Sequence, residues 1–260
     1  LGHIHIHAKA QAKYSGSSKR VKPIARVSKT AMYALIDNLR SQVNSLKWDP
    51  INTEWGDYYS KTNYSDKSAN HKSEIIQRFA SIVQPSNVWD IGGNTGCYSR
   101  IVAANGADVI SFDIDPVAVE ANYRKVYQDD DKFILPLLLD LTNPSPMLGW
   151  AHSERESLLE RGPVDMVMAL ALVHHLAISN NVPLDRIAEY FSSLGEYLII
   201  EFVPKEDSQT QRLLSSRKDI FPTYNIEGFK VTFSAYYELL EEIPIEDTIR
   251  TVHLMRKKHT

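Results

Sequence analysis

Val88-Trp89-Asp90-Ile91-Gly92-Gly93-Asn94-Thr95-Gly96 is followed within one helix length by Asp108-Val109-Ile110-Ser111-Phe112-Asp113-Ile114-Asp115. Two apolar strands are written here, and the glycine-rich turn between them opens a helix near Cys97. Glycine lets a backbone pass close beneath a ligand where a Cβ would collide. The helix that follows offers unpaired N–H groups. A carboxylate at the tip of the second strand, Asp113, suits two vicinal ribose hydroxyls, and Ile114 beside it can pack on a base. A dinucleotide turn requires G-x-G-x-x-G. Counted from Gly92, that spacing meets Asn94 and Cys97 where glycines belong, so it fails. Asp90, just before the turn, would also repel a pyrophosphate. S-adenosylmethionine has an ammonium, a sulfonium and no phosphate, so it is the nucleoside cofactor that this acid favours.

At these residues the chain resembles the class I S-adenosylmethionine-dependent methyltransferases, whose first motif reads D-x-G-x-G-x-G. Asp90, Gly92 and Gly96 match it, with Gly93 inside the turn. Asn94 departs from the middle glycine, and Asn is among the residues that tolerate left-handed backbone. The resemblance implies S-adenosylmethionine as cofactor and S-adenosylhomocysteine as its product.

The pattern on either side agrees with that fold. Strands are expected at 87–91, 108–112, 133–139, 164–171, 196–202, 237–244 and 248–256. Pro136 weakens the third, since proline cannot donate to a ladder. Helices are expected at 30–47, from Ser65 onward, and at 97–105, 116–127, 150–160, 184–194 and 208–217. Near-continuous apolar strands alternating with helices imply a buried parallel sheet. The last two strands share a short turn and must be antiparallel. The expected class is therefore α/β: a Rossmann-like, mostly parallel seven-stranded sheet with an antiparallel last strand and helices on both faces. Residues 1–29 read as a basic arm or linker, 30–83 as a helical and aromatic segment, and 84–260 as the core.

Composition is that of a globular enzyme domain, with 43% hydrophobic and 23% charged residues. The lone Cys97 excludes an internal disulfide and suits a reducing compartment, so a cytoplasmic location is expected. No apolar run approaches the ~20 residues of a membrane span, and no membrane partner is expected. The chain opens Leu-Gly-His and reads as the C-terminal portion of a longer protein. Residues 1–36 hold Lys9, Lys13, Lys19, Arg20, Lys22, Arg26 and Lys29 and no acid, in a chain of net charge −3. Such an arm is either a solvated linker, the favoured reading, or a recruiter of RNA. His3, His5 and His7 share one face of a strand but have no fourth ligand nearby, so no metal site is expected.

In open α/β sheets, ligands bind at the carboxyl ends of the strands. The third strand ends at Asp140-Leu141. Asp140 is either a turn residue ahead of Asn143-Pro144 or, as the family resemblance implies, the acceptor for the adenine amino group, with the Leu141 backbone at a ring nitrogen. The fourth strand ends Ala169-Leu170-Ala171-Leu172-Val173-His174-His175, and in the family this end faces the methyl group. His174 or His175 is then a candidate proton acceptor, or both are structural. Glu201, at the end of the fifth strand, either orients a histidine or meets substrate, or pairs with Lys205. Trp55, Tyr58, Tyr59 and Tyr64 lie in a polar, non-periodic stretch. Their faces suit a sulfonium, which makes Tyr59 and Tyr64 candidate lid residues, with packing on the sheet edge as the alternative.

Three blocks carry a closer resemblance: Glu54-Trp55-Gly56-Asp57-Tyr58-Tyr59 with Thr62-Asn63-Tyr64-Ser65-Asp66, Leu135-Pro136-Leu137-Leu138-Leu139-Asp140-Leu141-Thr142-Asn143-Pro144-Ser145-Pro146, and Ile200-Glu201-Phe202-Val203-Pro204-Lys205. They are similar to a bacterial methyltransferase-like group akin to the nodulation protein NoeA. Three functions remain open on these residues: methylation of a small molecule or cell-surface precursor, methylation of RNA through the basic arm, and non-catalytic cofactor binding within a larger protein. The acceptor and the oligomeric state are not written in the sequence.

Overall fold

The computed structural model describes residues 8–9, 11–13, 27–48, 53 and 64–259. His3, His5 and His7, most of the basic arm, and Trp55, Tyr58 and Tyr59 of the aromatic segment lie outside the described residues. The chain forms two compact units, Leu1–Asp49 and Pro50–Thr260. In the first, helix α1 (Lys29–Ser45) starts at Ser28, whose hydroxyl accepts the Ala31 N–H at 3.1 Å.

Among the described residues, the first helix of the second unit is α2 (Asp66–Val83), capped by Ser65 as its sequence predicts. Ile75, Ile76, Phe79 and Ala80 of α2 are buried in one of the two cores. The sequence reading set residues 30–83 ahead of the core. The α2 stripe packs into that core with Tyr98 and Val102 of the Cys97–Ala103 helix and with strand residues such as Met166, Met168 and Ile199.

Then come β1 (Asn87–Ile91), α3 (Cys97–Ala103), β2 (Asp108–Asp113), α4 (Pro116–Asp129), β3 (Ile134–Leu138), α5 (Leu158–Arg161), β4 (Val164–Ala169), α6 (Leu184–Leu194), β5 (Gly195–Phe202), α7 (Ser208–Leu214), α8 (Ile226–Ser234), β6 (Tyr237–Pro244) and β7 (Thr251–Lys257). The seven strands make one sheet in the order β3-β2-β1-β4-β5-β7-β6. β1 to β5 pair parallel, and β7 is inserted antiparallel to both β5 and β6. Side chains alternate across a strand. In β4, Met166 and Met168 enter the core with α2 and α3, and Val167 and Ala169 enter the core with α6 and α8. Both faces are therefore covered, as expected. Pro136 is accommodated because β3 is an edge strand.

Three expectations fail locally. The helix at 150–160 is reduced to one 3₁₀ turn, Trp150–His152, and the four-residue α5. Positive φ values at Gly149, Ala151 and His152 (87°, 51° and 58°), before and within the short turn, take the chain out of a continuous helical path. Helix α8 was not expected, and its Phe229 and Phe233 are fully buried. Finally, β4 is followed by a π turn, His175–Ser179, in which the Asn180 N–H reaches back to the His175 carbonyl at 3.0 Å. Among the described residues, no helix is long and apolar enough to cross a membrane.

Candidate functional site

The strand-one carboxyl end is built by backbone strain that few residues accept. Gly92, Asn94 and Gly96 have φ of 80°, 49° and 74°. Asn94 thus occupies the left-handed region, as the motif comparison requires of the residue standing in for glycine. The N–H groups of Gly92 and Gly93 both donate to the Phe112 carbonyl at 2.9 Å, which fastens the turn to β2. A Cβ on Gly93 would collide with Ser111 and crowd Asp90. Gly96 is closed off by Asn122 and Arg100, so its glycine is required by packing, and it does not line the cleft. Arg100 donates to the carbonyls of Thr95 (2.7 Å) and Gly96 (2.8 Å) and to Asn122 Oδ1 (2.9 Å), strapping the turn from outside.

A cleft of about 350 Å³ opens over these strand ends. Its wall includes Asp90, Gly92, Gly93, Asn94, Asp113, Ile114, Asp140, Leu141 and His175. These predicted residues come together from four loops of the sheet. Ala169 does not take part: it is fully buried in the core, and the chain turns into the cleft only at Leu170, Ala171 and Leu172. His174 is also buried outside the cleft wall, and its Nδ1 has no hydrogen-bond partner among the described residues.

Two buried carboxylates flank the turn. Asp90 accepts a hydrogen bond from Ser99 Oγ at 2.5 Å, and burial, aided by Asp113, pushes its carboxyl up to about 6. Asp113 accepts the N–H groups of Asn94 and Asp115, each at 2.8 Å, and burial raises it as well. Asp115, not Asp113, caps α4, accepting the Val117 N–H at 2.8 Å. Asp113 is therefore available to a ligand at the cleft. Asp140 serves as a turn residue through Oδ1, which accepts the Thr142 N–H (2.9 Å) and hydroxyl (2.6 Å), and it lines the cleft at the same time. The turn role thus leaves Asp140 on the cleft wall.

His175 reaches the cleft at the start of the π turn, with its ring 4.1 Å from that of His174. Burial, with Arg250 adding to it, lowers His175 to about 4, and burial, with His175 adding to it, holds His174 well below the usual histidine range. Both rings are therefore neutral at pH 7.

Glu201 is fully buried and contacts neither histidine through a hydrogen bond among the described residues. Its Oε2 accepts Lys72 Nζ at 2.6 Å, its Oε1 accepts the Tyr64 hydroxyl, and Arg250 stands at 3.5 Å. Lys205 pairs with Asp219 instead, at 2.7 Å. Tyr64 likewise lies outside the cleft wall, its ring under Lys72 (5.0 Å) and Arg250 (4.8 Å). Lys72, which sequence reasoning missed, does line the cleft. Its signal was present: 72, 75, 76 and 79 fall on one helical face, so a lysine stands in the apolar stripe of α2.

No protein-family model matches the chain. It is 35% identical over 260 residues to the nodulation protein NoeA of Rhizobium meliloti, covering 98% of this chain and 54% of that protein. The chain thus spans about half the length of this relative. Among solved structures it is similar to the N-methyltransferase NodS from Bradyrhizobium japonicum, with TM-score 0.51 and 10% identity over 75% of this chain and 99% of that one. It is also similar to the magnesium protoporphyrin IX methyltransferase ChlM from Synechocystis, solved with bound SAH, with TM-score 0.51 and 15% identity over 89% and 100% of the two chains. At such identities the likeness is one of fold.

Proposed function

This chain is similar to NoeA along nearly all its length and carries the fold of class I methyltransferases, and on that premise we propose that it is an S-adenosylmethionine-dependent methyltransferase acting on a small-molecule acceptor in the cytoplasm. The observation that carries the reading is the pair of buried carboxylates, Asp90 and Asp113, on either side of the glycine turn. An anionic floor of this kind suits an ammonium, a sulfonium and a ribose, and opposes a pyrophosphate. The cleft volume lies within the range of ordinary small-ligand sites. The single cysteine supports a reducing compartment.

When bound, S-adenosylmethionine supplies a methyl group already activated on sulfur. The protein's share is to hold, align and exclude water. Asp113 would take the ribose hydroxyls, Asp140 and Leu141 the adenine edge, Ile114 the adenine face, and Asp90 with Gly92, Gly93 and Asn94 the amino-acid end. His175, neutral and at the cleft wall, can accept a proton from the acceptor as it is methylated. Leu172, Leu176 and Leu213 line the same wall and keep water from the transfer.

Calorimetry should show S-adenosylmethionine or S-adenosylhomocysteine binding at micromolar strength and no binding of NAD. NAD binding without either adenosyl ligand overturns the reading. Asp113→Ala should weaken the adenosyl ligands by about 1.5–3 kcal/mol, since two hydroxyls lose a charged acceptor. That is roughly tenfold or more in affinity. An unchanged dissociation constant in a folded variant removes Asp113 from the site.

A further inference from the structure

Resting on the cofactor reading above, we infer that Glu201 is a positioning residue. It holds the Lys72 ammonium in the cleft, where that ammonium receives the carboxylate of the cofactor's amino-acid end. Among the described residues, Lys72 is the only lysine or arginine lining the cleft, and Asp90 lines the same wall. A ligand carrying both an ammonium and a carboxylate is met there by one group of each opposite sign.

Lys72 is 2% exposed, an expensive place for a cation without a partner. Burial drives its ammonium toward neutrality, and Glu201 is the first group opposing that. The alternation of β5 explains the pairing. Ile199 enters the core lined by α2, so Glu201, two residues on, points toward the same helix. Glu201 is itself fixed from behind. The Tyr64 hydroxyl donates to it and accepts Arg250 NH1 at 2.9 Å, and Arg250 is bidentate to Asp207 at 2.7 and 2.9 Å. Burial opposes the charge on Glu201, but Lys72 and Arg250 outweigh it, so its carboxyl lies below the usual range. The groups facing Lys72 are Glu201 from β5, Asp90 from β1, Tyr98 from α3, with its ring at 4.5 Å, and Tyr64 and Arg250 beside them. Glu201 is the only carboxylate of this set that bonds the ammonium directly.

The test compares S-adenosylhomocysteine with 5′-methylthioadenosine, which lacks the amino-acid end, by calorimetry between pH 7 and 9. Wild type should prefer S-adenosylhomocysteine. Lys72→Met should lose roughly tenfold or more in affinity for it, the worth of a charge-assisted contact, and keep 5′-methylthioadenosine within about twofold. Glu201→Gln should shift the same ratio in the same direction, and more so as pH rises, because an ammonium without its carboxylate loses its proton earlier. In Lys72→Met the Glu201→Gln change should add nothing to the ratio, and if Glu201→Gln alone does not fold, Glu201→Asp, which keeps the charge but draws it back from Lys72, should shift the ratio in the same direction. Equal weakening of both ligands in Glu201→Gln, or an unchanged ratio in Lys72→Met, overturns the inference while the cofactor reading stands. Failure of both ligands to bind wild type overturns the cofactor reading and this inference with it.

Discussion

Replacing His175 by Gln should lower turnover by about 10²–10⁴ while leaving cofactor affinity near wild type, if the ring is the proton acceptor. His175 is the one of the two neighbouring histidines that reaches the cleft. Its ring is held neutral by burial and by Arg250, down to about 4. A general base must be unprotonated to act, so with cofactor saturating at every pH, turnover should be flat from pH 8 through the usual histidine range near 6.5 and fall only as pH approaches 4, while cofactor affinity weakens below about 6 as Asp90 takes up its proton. His174→Gln should leave the shape of that profile unchanged, because the His174 side chain is buried away from the cleft wall. The measurement is a pH–rate profile on an acceptor that turns over. Full activity in His175→Gln shows that alignment alone carries the transfer, and a break in turnover near 6.5 assigns the proton to a group other than the depressed His175 ring.

The largest loss of stability should follow from Arg250→Met. Arg250 is 2% exposed and bonds Asp207 through two nitrogens and the Tyr64 hydroxyl through NH1. Its removal leaves Asp207, 8% exposed, with an uncompensated charge. Breaking a buried pair by deleting one partner costs about 3–5 kcal/mol, on the order of 10 °C in melting temperature for a domain of this size. Lysine should rescue little, because it lacks the fork that meets both carboxylate oxygens. Adding Asp207→Asn to Arg250→Met should restore part of the loss, since the stranded charge is then gone. A melting temperature within 1–2 °C of wild type in Arg250→Met contradicts this account.

The sheet was legible wherever local chemistry and tertiary need agree. Ser65 and Asp115 cap their helices as their side chains predict, and the strand alternation yields five parallel strands and a closing antiparallel pair. Misreadings arose where one competes with the other. Helix α8 carries Gly228, Val231 and Thr232, poor helix formers, and is held by the burial of Phe229 and Phe233. The 150–160 stretch has helical composition but two residues of positive φ, Ala151 and His152. In the site, the carboxylates and glycines were legible because their residue types report directly on backbone and charge. The partner of Glu201 was not, since Lys205 is near in sequence and Lys72 is 129 positions away. Ala169 failed for a similar reason: a strand's last residue faces the core, and the turn beyond it faces the ligand.

The π turn after β4 separates two evolutionary burdens. The groups proposed to hold the cofactor sit mainly on β1, β2, β3 and α2, and His175, Leu176, Ser179 and Asn180 sit on one widened turn at the far wall of the cleft. A π turn differs from an α turn by a single extra residue. Loss or gain of one residue there rotates that wall by about 100°, the step of one helical position, without disturbing any strand. On the function proposed above, a single indel there would reshape the wall that carries His175 and leave the groups proposed to hold the cofactor in place.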